Sequence, residues 1–175
     1  MTKQLVLGGA RSGKSRYAER LVNRAKQKVY VATAEALDVE MENRIAQHRI
    51  DRGDGWQLVE EPRRLAHVLR QYNNKEYSVL VDCLTLWISN CLHADCWDAQ
   101  SGELLALIPE LECELVMVSN EVGSGIVPLG ELSREFVDAS GRLNQQLAAL
   151  FDRVILVVAG LPMTLKGGDI EGTCL

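Results

Sequence analysis

Apolar residues gather in five short, nearly continuous runs at 5–7, 29–32, 79–81, 115–118 and 154–158, rich in Val and Leu. Runs without polar alternation suit strands buried on both faces, which means a parallel sheet covered by helices. Between them the spacing turns helical. Ala18, Leu21, Val22 and Ala25 share one face, and Pro62 stands as the first residue of a helix carrying Leu65, Ala66, Val68 and Leu69 inward. A longer pattern carries Leu132, Phe136, Leu143, Leu147 and Leu150, with Gly141 as a candidate interruption. The alternation predicts a three-layer α/β fold with a mostly parallel central sheet. No repeat or linker divides the chain, so one domain is expected over 1–166. The tail 167–175 has no periodicity and is expected to fray.

Bulk properties narrow the function classes. A chain of 175 residues can bury a full core, and 47% apolar with 25% charged residues excludes disordered and collagen-like classes. The net charge of −5 argues against a nucleic-acid partner, which favours a basic face. No apolar run reaches the length of a membrane span, and the N-terminus enters the first strand directly, so a cytoplasmic protein is expected. The five cysteines (Cys83, Cys91, Cys96, Cys113 and Cys174) form no paired CxxC spacing, which suits reduced thiols. Cys91, His93 and Cys96 lack a second ligand pair for zinc.

The candidate chemistry begins where the first strand ends. Gly8, Gly9, Ala10, Arg11, Ser12, Gly13, Lys14 and Ser15 make a complete G-x-x-x-x-G-K-[ST] loop between a strand and a helix. Glycines let successive backbone N–H groups curl inward around phosphate, and the following helix offers its positive end. Lys14 supplies a mobile cation for the β- and γ-phosphates, and the Ser15 hydroxyl can ligate Mg²⁺. The fold class becomes a P-loop nucleotide-binding fold, and Mg²⁺ the expected cofactor.

Ligands collect at the carboxyl ends of strands in such sheets, which adds Thr33-Ala34-Glu35, Asp82 and Ser119-Asn120-Glu121 to the loop. Asp82 ends an apolar strand and either holds Mg²⁺ through water or caps the next helix. A helix capped by Asp38 would align Arg44, His48 and Arg52 at i, i+4 and i+8. Flanking arginines disfavour the imidazolium and would favour a neutral, nucleophilic His48. They could also neutralise a leaving pyrophosphate. By pattern alone a helix histidine is more often a surface residue, and His67 and His93 are read so.

These residues carry a resemblance. The loop 8–15 is followed by Ala32-Thr33-Ala34, Asp38-Val39-Glu40-Met41, Arg44-Ile45, His48-Arg49, and Trp56 with Glu60-Glu61-Pro62. Then come Val81-Asp82-Cys83-Leu84-Thr85, Asn120-Glu121-Val122-Gly123-Ser124-Gly125-Ile126-Val127-Pro128, Gly141-Arg142-Leu143-Asn144-Gln145 and Leu156-Val157-Val158-Ala159-Gly160. In this order the series resembles the bifunctional adenosylcobinamide kinase/adenosylcobinamide-phosphate guanylyltransferase family of cobalamin biosynthesis, from the first strand to about Lys166.

The resemblance implies two reactions. ATP or GTP phosphorylates the hydroxyl of adenosylcobinamide; GTP then donates GMP to that phosphate through a histidine-GMP intermediate, giving adenosylcobinamide-GDP. The matching histidine is His48, and the catalytic residues would be His48 and Lys14. The nucleotide contacts fall on Gly8, Gly9, Ala10, Arg11, Ser12, Gly13, Lys14, Ser15, Ala32, Thr33, Ala34, Arg49, Ile50, Asp51, Arg52, Glu60 and Asp82, with Ser15 and Asp82 toward Mg²⁺. Glu60 would suit the donor edge of guanine. A homo-oligomer, a trimer, is also implied. Val137 stands where the family pattern has arginine, and the segment 91–114 looks shorter and less helical than that pattern. Asn120 and Glu121 read equally as substrate contacts or as strand-end architecture. A single-function P-loop kinase would leave the Arg44/His48/Arg52 stripe unexplained. A GTP switch would carry Asn-Lys-x-Asp where Asn120-Glu121-Val122-Gly123 stands.

Overall fold

A computed structural model describes residues 1–22, 27–35 and 55–168. One seven-stranded sheet organises them, in the order β3-β2-β4-β5-β1-β6-β7. The strands are β1 (Lys3–Gly8), β2 (Gln27–Ala32), β3 (Trp56–Glu60), β4 (Tyr77–Asp82), β5 (Glu114–Asn120), β6 (Arg153–Val158) and β7 (Leu161–Lys166). All neighbours run parallel except β7, which returns antiparallel along β6. The described helices are α1 (Lys14–Val22), α2 (Leu65–Gln71), α3 (Leu84–His93), α4 (Trp97–Leu107) and α5 (Glu131–Leu150).

Side-chain alternation splits the core between two faces. Leu5, Val29, Val31, Val79, Val81, Leu115 and Met117 point to one side, where α2, α3, α4 and α5 add Leu65, Leu69, Trp87, Leu104, Leu143 and Leu147. Val6, Tyr30, Leu80, Val116, Val118, Ile155 and Val157 point to the other, under Tyr17, Ala18 and Val22 of α1. The result is the expected three-layer α/β P-loop fold. No described helix is long and apolar enough to cross a membrane.

The five expected strands form the middle of the sheet, and both outermost strands were missing from the sequence pattern. Trp56–Glu60 and Leu161–Lys166 carry the half-exposed, mixed pattern of an edge, and β7 contains Pro162. Pro62 does not begin a helix. The Glu61 carboxylate accepts from the N–H groups of Arg63 (3.0 Å) and Arg64 (2.9 Å), closing a turn that delays α2 until Leu65. Gly141 does not interrupt α5, which is continuous over twenty residues. The segment 91–114 is largely helical, because α4 packs Leu104 and Leu107 against the core. At the chain end, Arg153 donates to the Gly168 carbonyl, and residues 169–175 lie outside the described set.

Candidate nucleotide site

β1 ends at Gly8, and α1 begins at Lys14, so the loop between them leads directly into a helix N-terminus. Two loop residues lie in the left-handed region, Arg11 (φ 55°) and Gly13 (φ 90°). Gly8 is required for space rather than for torsion. A Cβ there would stand 2.5 Å from Ser12 Oγ and 2.6 Å from the Val157 carbonyl oxygen. The turn is pinned by Ser12 N–H donating to Gly9 O (3.3 Å) and by Gly160 N–H donating to Ser12 O (2.9 Å). Gly9, Ala10, Arg11 and Gly13 are exposed, Lys14 and Ser15 half-exposed, and Ser12 buried. The Lys14 ammonium folds over the loop and donates to Gly9 O at 3.2 Å. The first-turn amides of α1 have no acceptor within the helix, which makes this end an anion receptor.

The sheet brings the other candidates to the same carboxyl edge. Ala32 pairs in register with Asp82 on one side and Glu60 on the other, and Gly8 pairs with Asn120. Asp82 accepts at Oδ2 from the Tyr30 hydroxyl (3.0 Å). The Lys14 charge reaches the neighbouring Cys83 thiol. That thiol is nevertheless pushed up to about 11, chiefly by burial and then by the Asp82 carboxylate. Ala34 is half-buried and Glu60 exposed.

Thr33 engages the neighbouring strand end through its side chain. It is fully buried, and its hydroxyl both donates to Cys83 O (2.7 Å) and accepts from Cys83 N–H (2.9 Å). Its carbonyl accepts from Asn90 Nδ2 at 2.8 Å. Thr33 therefore braces the strand end that carries Asp82. Glu121 N–H donates to Gly8 O (3.1 Å), its carboxylate accepts from Gly123 N–H (2.8 Å), and Thr85 Oγ1 accepts from Asn120 N–H (2.8 Å). These bonds tie the Asn120 backbone and the Glu121 carboxylate into the strand end beside the loop. Tyr30, Thr85 and Asn90 were not singled out from sequence. Tyr30 left a trace there, since a hydroxyl inside a Val-rich strand needs a partner.

Ser15 and Asp82 offer a hydroxyl and a carboxylate oxygen, a hard donor set of the kind Mg²⁺ takes alongside phosphate oxygens and water. One Asp82 oxygen accepts from Tyr30, and no donor among the described residues engages the other. That leaves an acceptor for a metal-bound water. Arg44, His48, Arg49, Ile50, Asp51 and Arg52 lie outside the described residues, as does the helix expected from Asp38. Val137 lines a groove of about 260 Å³ with Leu92, His93, Pro128, Leu132 and Phe136. Ile126 and Leu129, on the loop after β5, are almost fully exposed.

Comparison with known proteins follows the same lines. A family model described as cobinamide kinase / cobinamide phosphate guanyltransferase matches residues 4–165. The chain is 51% identical over 169 residues to the bifunctional adenosylcobalamin biosynthesis protein CobP of Pseudomonas aeruginosa, covering 94% of this chain and 98% of the relative. It is 41% identical over 178 residues to CobU of Escherichia coli K12, of the same bifunctional description, covering 93% and 98%. Among solved structures, an ATPase of a bacterial type III secretion system is alike in fold alone, at TM-score 0.57 and 10% identity over 93% of this chain and 56% of that one. A Pyrococcus horikoshii OT3 protein is likewise similar, at TM-score 0.53 and 11% identity, over 97% and 88%.

Proposed function

The chain belongs to the cobinamide kinase/cobinamide phosphate guanyltransferase family, and from that membership we propose that it performs both reactions on adenosylcobinamide. A nucleoside triphosphate, ATP or GTP, first phosphorylates the acceptor hydroxyl; GTP then yields GMP to the new phosphate, producing adenosylcobinamide-GDP and pyrophosphate. The observation that carries the reading is the loop 8–15 delivered by β1 into α1, with Asp82 at the same sheet edge.

In the kinase step the loop amides and Lys14 hold the β- and γ-phosphates. The acceptor oxygen attacks the γ-phosphorus while the bond to the β-bridging oxygen breaks. Ser15 and Asp82 would hold Mg²⁺, which when bound neutralises phosphate charge. In the transfer step the neutral imidazole of His48 attacks the α-phosphorus, and the bond to pyrophosphate breaks. The acceptor phosphate then attacks the resulting phosphoramidate; the P–N bond breaks and the imidazole is regenerated. Arg44 and Arg52, one turn to either side in a helical reading, suit the departing pyrophosphate. Arg49, Ile50, Asp51 and Arg52, with Glu60 toward the base, complete the nucleotide contacts proposed.

The protein is proposed to work in the cytoplasm as a homo-oligomer, a trimer by family resemblance. The exposed row Leu161, Met163 and Leu165 on β7 supports assembly. Incubation with adenosylcobinamide, Mg²⁺ and GTP tests the two-step reading. Successive appearance of the phosphate and the GDP product, with pyrophosphate released only in the second step, is expected. Phosphorylation without pyrophosphate release would reduce the protein to a single-function kinase.

A further inference from the structure

We propose that Tyr30 is the positioning residue that fixes the Asp82 carboxylate for the nucleotide's Mg²⁺. The inference rests on the reading of Asp82 given above. Tyr30 is 4% exposed and sits in β2 opposite Leu80, while Ala32 stands opposite Asp82. Residues two apart in a strand share a face, so the tyrosine lies one step below Asp82 on the α1 side of the sheet. Its ring is held edge-on by Trp56, with centroids 5.8 Å apart and planes at 89°, and by the small core around Val6 and Val118. The hydroxyl reaches Asp82 Oδ2 at 3.0 Å.

A carboxylate at a strand end rotates about its last torsion. One donor from a buried, packed ring selects a single orientation, leaving Oδ1 for a metal-bound water. The plain alternative is a buried tyrosine that merely satisfies its own hydroxyl. That role predicts lost stability and nothing else. The positioning role predicts a changed response to Mg²⁺.

Tyr30→Phe removes the hydroxyl and keeps the ring, so the folded protein should persist with a melting temperature within a few degrees of the parent. Nucleotide affinity in EDTA should be unchanged. The Mg²⁺ concentration giving half of the Mg²⁺-induced gain in affinity for a fluorescent GTP analogue should rise about tenfold, the scale of one hydrogen bond to a charged group. Asp82→Asn should abolish that gain, and Tyr30→Phe should add nothing in the Asp82→Asn background. An unchanged Mg²⁺ titration in Tyr30→Phe, with Asp82→Asn defective, overturns the proposal alone. An unchanged titration in Asp82→Asn overturns the reading of Asp82 and the proposal with it.

Discussion

The Thr33 hydroxyl donates to the Cys83 carbonyl at 2.7 Å and accepts from the Cys83 N–H at 2.9 Å, clamping one residue in both directions fifty positions along the chain. Thr33→Val keeps the shape and strands the buried Cys83 N–H, while the Cys83 carbonyl keeps the Trp87 N–H at 3.2 Å. An unsatisfied buried polar group costs about 1–3 kcal/mol. Urea unfolding should therefore show a loss in that range for Thr33→Val, while Thr33→Ser stays near the parent. Equal losses in both variants would count against the clamp.

Gly8 and Gly9 are adjacent glycines with opposite expectations. A Cβ at Gly8 meets the Val157 carbonyl oxygen at 2.6 Å, backbone that cannot rotate away, whereas at Gly9 nothing lies within 4 Å. Gly8→Ala should cost about 1–3 kcal/mol as an overpacked position and weaken GTP binding, because the loop must shift to admit the methyl. Gly9→Ala should leave stability close to the parent. Calorimetric binding and thermal melts of the pair check this.

Lys14 is the cation of the loop, and its ammonium donates to the Gly9 carbonyl. Lys14→Ala should lower the kinase rate by at least about a hundredfold, the scale of one preorganised transition-state donor. The melting curve should hardly move. Full kinase activity would remove Lys14 from the mechanism.

Gly141 stands inside α5 with nothing within 4 Å of an added Cβ. Replacing it with alanine reduces the freedom of the unfolded chain. A gain of about 0.5–1 kcal/mol is expected, read as a higher urea midpoint.

The buried thiols predict alkaline weakness. Burial pushes Cys83 and Cys113 up to about 11 and Cys91 up to about 12, from an ordinary 9.0. With rising pH the unfolded chain loses these protons first, so unfolding releases protons and stability falls. The stability tied to the neutral thiols is intact below pH 9.0 and is lost through about 11 to 12. Urea midpoints from pH 8 upward should decline over that window, and Cys113→Ser should flatten the decline.

The central strands were legible because burial on both faces leaves no room for polar alternation. Edge strands β3 and β7 were not, since the exposed Gln57 and Glu60 and the half-exposed Thr164 break the pattern. α4 was obscured by Ser101 and Gly102, poor helix formers that its packing against α2 and α3 overrides. In the site, the phosphate loop reads from sequence because one contiguous segment supplies all its donors. Tyr30 and Asn90 act on residues more than fifty positions away, and only the register of β2 against β4 and the docking of α3 bring them there.

In the function proposed, one nucleotide site serves both a phosphoryl and a guanylyl transfer, the latter through His48. GTP labelled with ³²P at the α-phosphorus tests it directly. Protein-bound label is expected that is acid-labile and alkali-stable, released by the phosphorylated acceptor, and missing from His48→Ala. Absence of covalent label from the intact protein, or its full retention in His48→Ala, would contradict it.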